Sequence, residues 1–178
     1  NESFICARES ILKNFKIRAI VLMGNKTFGA TGTNTVVLFL EKYNEPPKKA
    51  DLIEDSIDAV FNGCNLDGWE DKAILEQYLK KIDVSSEVYE RFLSEAVDIG
   101  DIEDKYFLKY KEAFLALSKT KEKQKQKTFG KLSEKEQKKL LTKQYYQYVK
   151  KIEREKMKYF SFVYDQRTLI VAAPDDNK

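Results

Sequence analysis

The chain has 178 residues, 42% hydrophobic, 34% charged and 12% aromatic, with a formal net charge of +3. Seven glycines and three prolines against ten tyrosines and eleven phenylalanines exclude a collagenous or disordered chain and disfavour an all-β fold built on frequent tight turns. The absence of histidine excludes a His-dependent triad and the usual zinc or non-haem iron centres from these residues, while Cys6 and Cys64 are too few for a disulfide framework.

In chain order, Phe4, Ile5, Ile11 and Leu12 fit one helical stripe ending near Asn14. Ile17 to Met23 is a near-continuous apolar run, the pattern of a buried strand, and Thr35 to Leu40 resumes β-branched and aromatic residues after a glycine-punctuated loop. The spacing predicts an antiparallel pair, closed off by Pro46-Pro47. The period then becomes helical. One face is Leu52, Ile53, Ile57, Val60 and Phe61, and the next is Trp69, Ala73, Ile74, Tyr78 and Leu79, with Trp69 read as core. Ser85 offers an N-cap to a third helix, and Gly100-Asp101 marks the start of a fourth that carries Tyr106, Phe107, Tyr110 and Phe114. Lys119 to Lys131 is a Lys/Gln run expected to be mobile. Ser133 and Glu136 then match a capping box ahead of a long helix with a heptad-like seam through Leu141, Tyr145, Tyr148, Ile152, Glu155 and Tyr159. Arg167 to Ala172 has strand composition, and Pro174 follows it.

The expected fold is mainly α with a small antiparallel β element, an α+β chain. Its parts are a strand-loop-strand unit over 1–47, an acidic helical bundle over 48–118, a basic flexible linker over 119–132, and a long helix with a terminal strand over 133–178. Charge is segregated along it. Residues 50–112 carry 7 basic and 17 acidic groups, whereas residues 113–160 carry 15 and 5. Such blocks either pair internally or face different partners. The carboxylates Asp51, Glu54, Asp55, Asp58, Asp67, Glu70 and Asp71 alternate with helical apolar positions, and the expectation is a solvated acidic face without a metal. No apolar run approaches membrane-spanning length, so no membrane partner is expected, and the location is expected to be cytoplasmic. The opening Asn1-Glu2-Ser3-Phe4, without methionine and with a helical pattern already running, reads as a piece of a longer protein.

Ala7 to Val21, followed by Thr27 to Lys42 with Phe28-Gly29-Ala30-Thr31-Gly32-Thr33-Asn34-Thr35 between the strands, resembles the late part of the catalytic domain in N6-adenine DNA methylases. More narrowly, it resembles the methylase subunits of bacterial type I restriction-modification systems and their fused relatives. The tail from Phe160, with Gln166 to Val171 and Ala173-Pro174, resembles a segment found downstream in bacterial members; the helical middle lies outside the resemblance. The resemblance implies that residues 1–47 complete the edge of a methyltransferase α/β sheet. It also implies a parent enzyme that uses S-adenosylmethionine on double-stranded DNA, with a DNA-specificity subunit or domain and a restriction subunit or domain as partners. The family's glycine-rich donor loop and its Asp/Asn-Pro-Pro-Tyr/Phe tetrapeptide are absent, since Asn44-Glu45-Pro46-Pro47-Lys48 has the wrong neighbours around its prolines. This chain alone is therefore expected to be inactive, with no catalytic residue, cofactor or metal of its own.

By the same resemblance, Phe28, Gly29, Thr31, Gly32, Thr33 and Asn34 border the target-base pocket, Phe28 stacking on an extruded adenine. Independently of the family, Lys121, Lys123, Lys125, Lys127 and Lys131 are candidate DNA-phosphate contacts, with Tyr145, Tyr146 and Tyr148 as nearby aromatics. A Lys/Gln run is more often a solvated linker, and tyrosines at helical spacing are more often packed against another helix. Glu155 interrupts the seam, which is expected to pack on the helical body of this chain in preference to docking a partner helix, and the alternative to a methylase fragment is a non-enzymatic helical interaction or DNA-binding module.

Overall fold

The structure, a computed structural model, describes residues 2–24, 27, 35–44, 48–69, 71–164 and 166–172. In chain order these form α1 (Glu2–Asn14), β1 (Phe15–Met23), β2 (Thr35–Lys42), α2 (Lys48–Gly63), α3 (Lys72–Ile82) and α4 (Ser86–Leu93). A 3-10 turn (Ile99–Asp101) follows, then α5 (Lys105–Ala116), α6 (Ser118–Gln124), α7 (Lys127–Gly130), α8 (Glu134–Val163) and β3 (Leu169–Ala172). The chain is mainly helical with one small sheet, and it divides into two units, residues 1–53 with 161–178, and residues 54–160. Among the described residues no helix is long and apolar enough to cross a membrane.

In the first unit β1 is the central strand. It pairs antiparallel with β2, from Phe15↔Lys42 to Met23↔Thr35, as the spacing of the two apolar runs predicts. The sheet is mixed rather than purely antiparallel, because β3 adds parallel to the other side of β1 from Ala19↔Leu169 to Leu22↔Ala172. Where that ladder runs out, side chains take over the backbone groups of β1. The Ile17 N–H donates to Gln166 Oε1 at 3.0 Å, and the Thr168 hydroxyl donates to the Ile17 carbonyl at 2.9 Å. This satisfies the donor and acceptor beside the register shift between Ile17 and Ala19, groups that would be costly to leave unmade. The sequence pattern reads β1 as a buried strand, yet none of its residues is fully buried. Its cover is lateral, a neighbour on each edge, while apolar side chains on the flanking strands stay exposed, Leu169 and Ile170 by 64% each and Phe39 by 54%.

In the second unit the caps settle where helices start. Ser85 accepts from the Val88 N–H at 3.3 Å, as expected, and Asp71 caps α3 by accepting from the Ile74 N–H. Trp69 is core, 2% exposed, but lies in the turn ahead of α3 rather than on it. That turn closes on α2 because residue 68 is glycine; a Cβ there would sit 2.7 Å from the Ala59 Cβ. α5 begins later than Gly100-Asp101 suggests. Those residues belong to the 3-10 turn, and the cap is Asp104, whose carboxylate accepts from the Tyr106 and Phe107 N–H groups at 2.9 and 3.1 Å. Asp104→Ala is expected to cost about 1–2 kcal/mol, measurable as a lowered urea midpoint with an unchanged m-value.

The 119–132 segment falls mostly into α6 and α7, which tuck Thr120 and Phe129 inside. The capping box ahead of α8 forms as read, with the Ser133 N–H donating to Glu136 Oε2 at 2.9 Å and the Glu136 N–H to Ser133 Oγ at 3.4 Å. The seam does not run as the heptad spacing implies. Tyr145 lies on it and is buried, but Leu141, Tyr148, Ile152, Glu155 and Tyr159 are only half-buried, and the fully buried row is Tyr145, Val149, Glu153 and Met157. Steps of four advance about 40° around an α-helix, so this row winds about 120° over three steps. A heptad seam needs one partner running alongside; here α3, α4 and α5 all reach α8 at Glu153, while the carbonyls of Phe107 and Val97 take the hydroxyls of Tyr145 and Tyr146.

Candidate nucleic-acid interface

The orientation of α8 is set by a polar cluster at its buried side. Glu153 has no exposed side-chain surface, and its carboxylate accepts four hydroxyl protons. Oε2 takes Tyr78 of α3 at 2.8 Å and Tyr89 of α4 at 3.1 Å; Oε1 takes Tyr106 and Tyr110 of α5 at 2.6 and 2.5 Å. Two donors per oxygen fill the lone-pair directions of a carboxylate. Burial, reinforced by neighbouring phenols and by the Glu153 charge, raises the pKa of all four phenols, which keeps them donors. Lys156, half-exposed, lies 3.7 Å from Oε1, donates to the Tyr106 hydroxyl at 3.1 Å, and sits 4.8 and 5.1 Å over the rings of Tyr110 and Tyr106. With its acceptors saturated, this carboxylate has no position left for a substrate. It ties α3, α4 and α5 to α8 and so decides which flank of α8 faces water.

Tyr145 and Tyr146 are interior, 0% and 2% exposed, packed as tyrosines at helical spacing usually are rather than set beside the phosphate-contacting lysines. Their hydroxyls donate to the carbonyls of Phe107 at 3.0 Å and Val97 at 2.7 Å. Buried apolar rings with satisfied hydroxyls are packing, so neither can stack on a base. Tyr148 is half-buried, 5.7 Å from the Phe114 ring.

The cations sort into two groups. Lys138 reaches Asp101 at 3.0 Å and Asp98 at 3.4 Å, Lys150 reaches Glu95 at 2.8 Å, and Arg154 pairs with Asp58. Thus part of the acidic and basic blocks does pair internally, and Asp58 and Asp71 are occupied as an ion-pair partner and a helix cap. The second group is exposed and, among the described residues, makes no ion pair. It holds Lys121 and Lys123 on α6, Lys125 just past it, Lys127 on α7, Lys131, and on α8 Lys135, Lys139, Lys143 and Lys151. The five lysines expected to contact phosphate all fall in it. Lys135, Lys139 and Lys143 stand four apart, so consecutive ammoniums face each other, a repulsion of about 0.2–0.5 kcal/mol per pair that the helix carries without an acidic partner.

The pocket-loop residues Phe28, Gly29, Thr31, Gly32, Thr33 and Asn34 lie outside the described residues. The described ends of their loop, Met23 and Thr35, are register partners. Sequence reasoning missed Glu153 as the keystone of the helical unit. The available signal was a glutamate at the fourth-residue repeat of Tyr145, Val149 and Met157 in a chain with ten tyrosines. No protein-family model, curated protein or solved structure matches this chain.

Proposed function

We propose that the chain is part of a site-specific N6-adenine DNA methyltransferase of a restriction-modification system, supplying a sheet edge, a target-base pocket loop and a helical module that faces DNA or a specificity subunit. The observation that carries this reading is the antiparallel pairing of β1 with β2 across a loop whose ends meet at Met23 and Thr35, the arrangement that the resemblance implies for the methyltransferase sheet. The exposed apolar side chains of β2 and β3 add support, since such strands ordinarily lie inside a larger α/β layer. The unpaired lysines add a second line, being the charge that duplex DNA requires.

The residues present do not fit the methyl donor. A cleft of about 340 Å³ bordered by Arg91, Phe92, Phe107 and Tyr145 has no glycine in its lining, and so no glycine-rich turn to bring backbone amides against a ligand. Donor binding and methyl transfer are therefore assigned to other parts of the parent, and this chain's share is positioning the base. In the intact parent, Phe28→Ala is expected to slow methylation about 10- to 100-fold at subsaturating DNA with donor affinity unchanged, because base stacking on an aromatic ring contributes about 1–3 kcal/mol. Equal rates for mutant and wild type would remove the stacking role. A parent coding sequence without a donor loop and a Pro-Pro tetrapeptide would remove the methylase reading itself.

A further inference from the structure

We infer that α8 carries a rail for the phosphate backbone of double-stranded nucleic acid, formed by Lys135, Lys139, Lys143 and Lys151, with Gln147 completing the row. From the first to the last of these residues the helix rises about 24 Å. Over that rise the row also turns about 40° per step around α8, about 160° in all, so its first three lysines form the part that shares one side. All five side chains are exposed, and among the described residues none of the four ammoniums is held by a carboxylate, whereas Lys138, Lys150 and Arg154 of the same helix all are. On α8, Glu136 is engaged by Ser133 in the helix cap, and Glu155, one turn beyond Lys151, pairs with Lys158 at 3.2 Å.

The composition of the exposed surface selects the occupant. From Glu134 to Phe160 every exposed residue of α8 is charged or an amide. A helix lying on a lipid surface needs an apolar face to bury, and this flank has none. Single strands are held largely by aromatic platforms on which bases stack, and no aromatic of this stretch is exposed. A duplex needs neither. It stays straight over this distance and meets Lys135, Lys139 and Lys143, which lie within about 80° of one another around α8. The rail goes beyond the methylase proposal and does not depend on it, since sequence-independent phosphate contact serves any duplex-binding parent.

The test is a salt titration of the 178-residue chain against a short fluorescent duplex of mixed sequence, read by anisotropy. Replacing all four lysines by glutamine is expected to lower the slope of log K against log salt by about 3, which makes the loss of affinity about 100-fold greater at 50 mM than at 200 mM salt. Replacement of Lys121, Lys123, Lys125 and Lys127 serves as the comparison, reporting the α6 and α7 lysines separately. If the fourfold variant loses helicity by circular dichroism, Lys139→Gln and Lys143→Gln singly should each lower the slope by about 1. An unchanged slope in a folded variant overturns the rail, as does tighter binding to single strands, or to phosphatidylserine vesicles, than to duplex. Loss of the methylase reading leaves this slope untouched, so the two proposals fail separately.

Discussion

Glu153→Ala is expected to destabilise the helical unit by about 3–5 kcal/mol, because it leaves buried phenol hydroxyls without an acceptor at a cost of about 1–3 kcal/mol each. The carboxylate accepts from Tyr78, Tyr89, Tyr106 and Tyr110 at 2.5–3.1 Å, and alanine removes the common acceptor of all four. Tyr78 and Tyr89 are 3% and 0% exposed, so water cannot replace the bonds they lose. Glu153→Gln separates charge from geometry. Its amide oxygen still accepts two phenols, and its NH₂ can donate to the other two once their hydroxyls rotate, so the loss should be about half that of alanine, because charge-assisted bonds are roughly twice as strong as neutral ones. Urea unfolding followed by tyrosine circular dichroism gives both numbers. A loss below about 1 kcal/mol for Glu153→Ala would mean that the four hydroxyls do not converge on this carboxylate.

The same cluster predicts steep alkaline unfolding. Burial, with contributions from neighbouring phenols and Glu153, raises the pKa of Tyr78 and Tyr89 far above that of a free phenol. The folded chain therefore keeps protons that the unfolded chain releases above about pH 10. Above that pH the folded state binds more protons, so stability falls as pH rises; below it these groups have no effect on the slope. Tyr78 and Tyr89 together are expected to remove about 3 kcal/mol of stability per pH unit beyond that point. Tyr106 and Tyr110 shift in the same direction but are half-buried, and solvent screening makes their share smaller. Urea midpoints measured from pH 8 to pH 11 should be flat and then drop. The Tyr78→Phe, Tyr89→Phe double variant starts lower, having lost two hydrogen bonds, and should show a clearly shallower decline. Parallel profiles for the variant and the wild type would show that these phenols are not the groups responsible.

Much of the local structure was legible in the residues. The Ser85 cap and the Ser133–Glu136 box both form at the expected places. So does the strand pair, with Ile17–Met23 and Thr35–Leu40 inside β1 and β2. These signals act over a few positions, where periodicity, capping and turn chemistry are complete in themselves. The start of α5 was misplaced because Asp101 and Asp104 are both plausible caps, and only the latter's carboxylate meets two amides.

What the sequence by itself determined, then, is the order and kind of the elements, the segregation of charge, and the composition that makes Lys121 to Lys131 a polyanion candidate. Only the tertiary structure decided which tyrosines meet Glu153, since they stand 43 to 75 positions away on three other helices. It also decided that β3 joins β1 in parallel across most of the chain length, and which cations of α8 are neutralised and which face water. The reason is one of range: caps and periods are set by backbone geometry between neighbours, whereas the partner of a buried carboxylate or a surface ammonium is whatever packing brings within about 4 Å, and no local pattern encodes that.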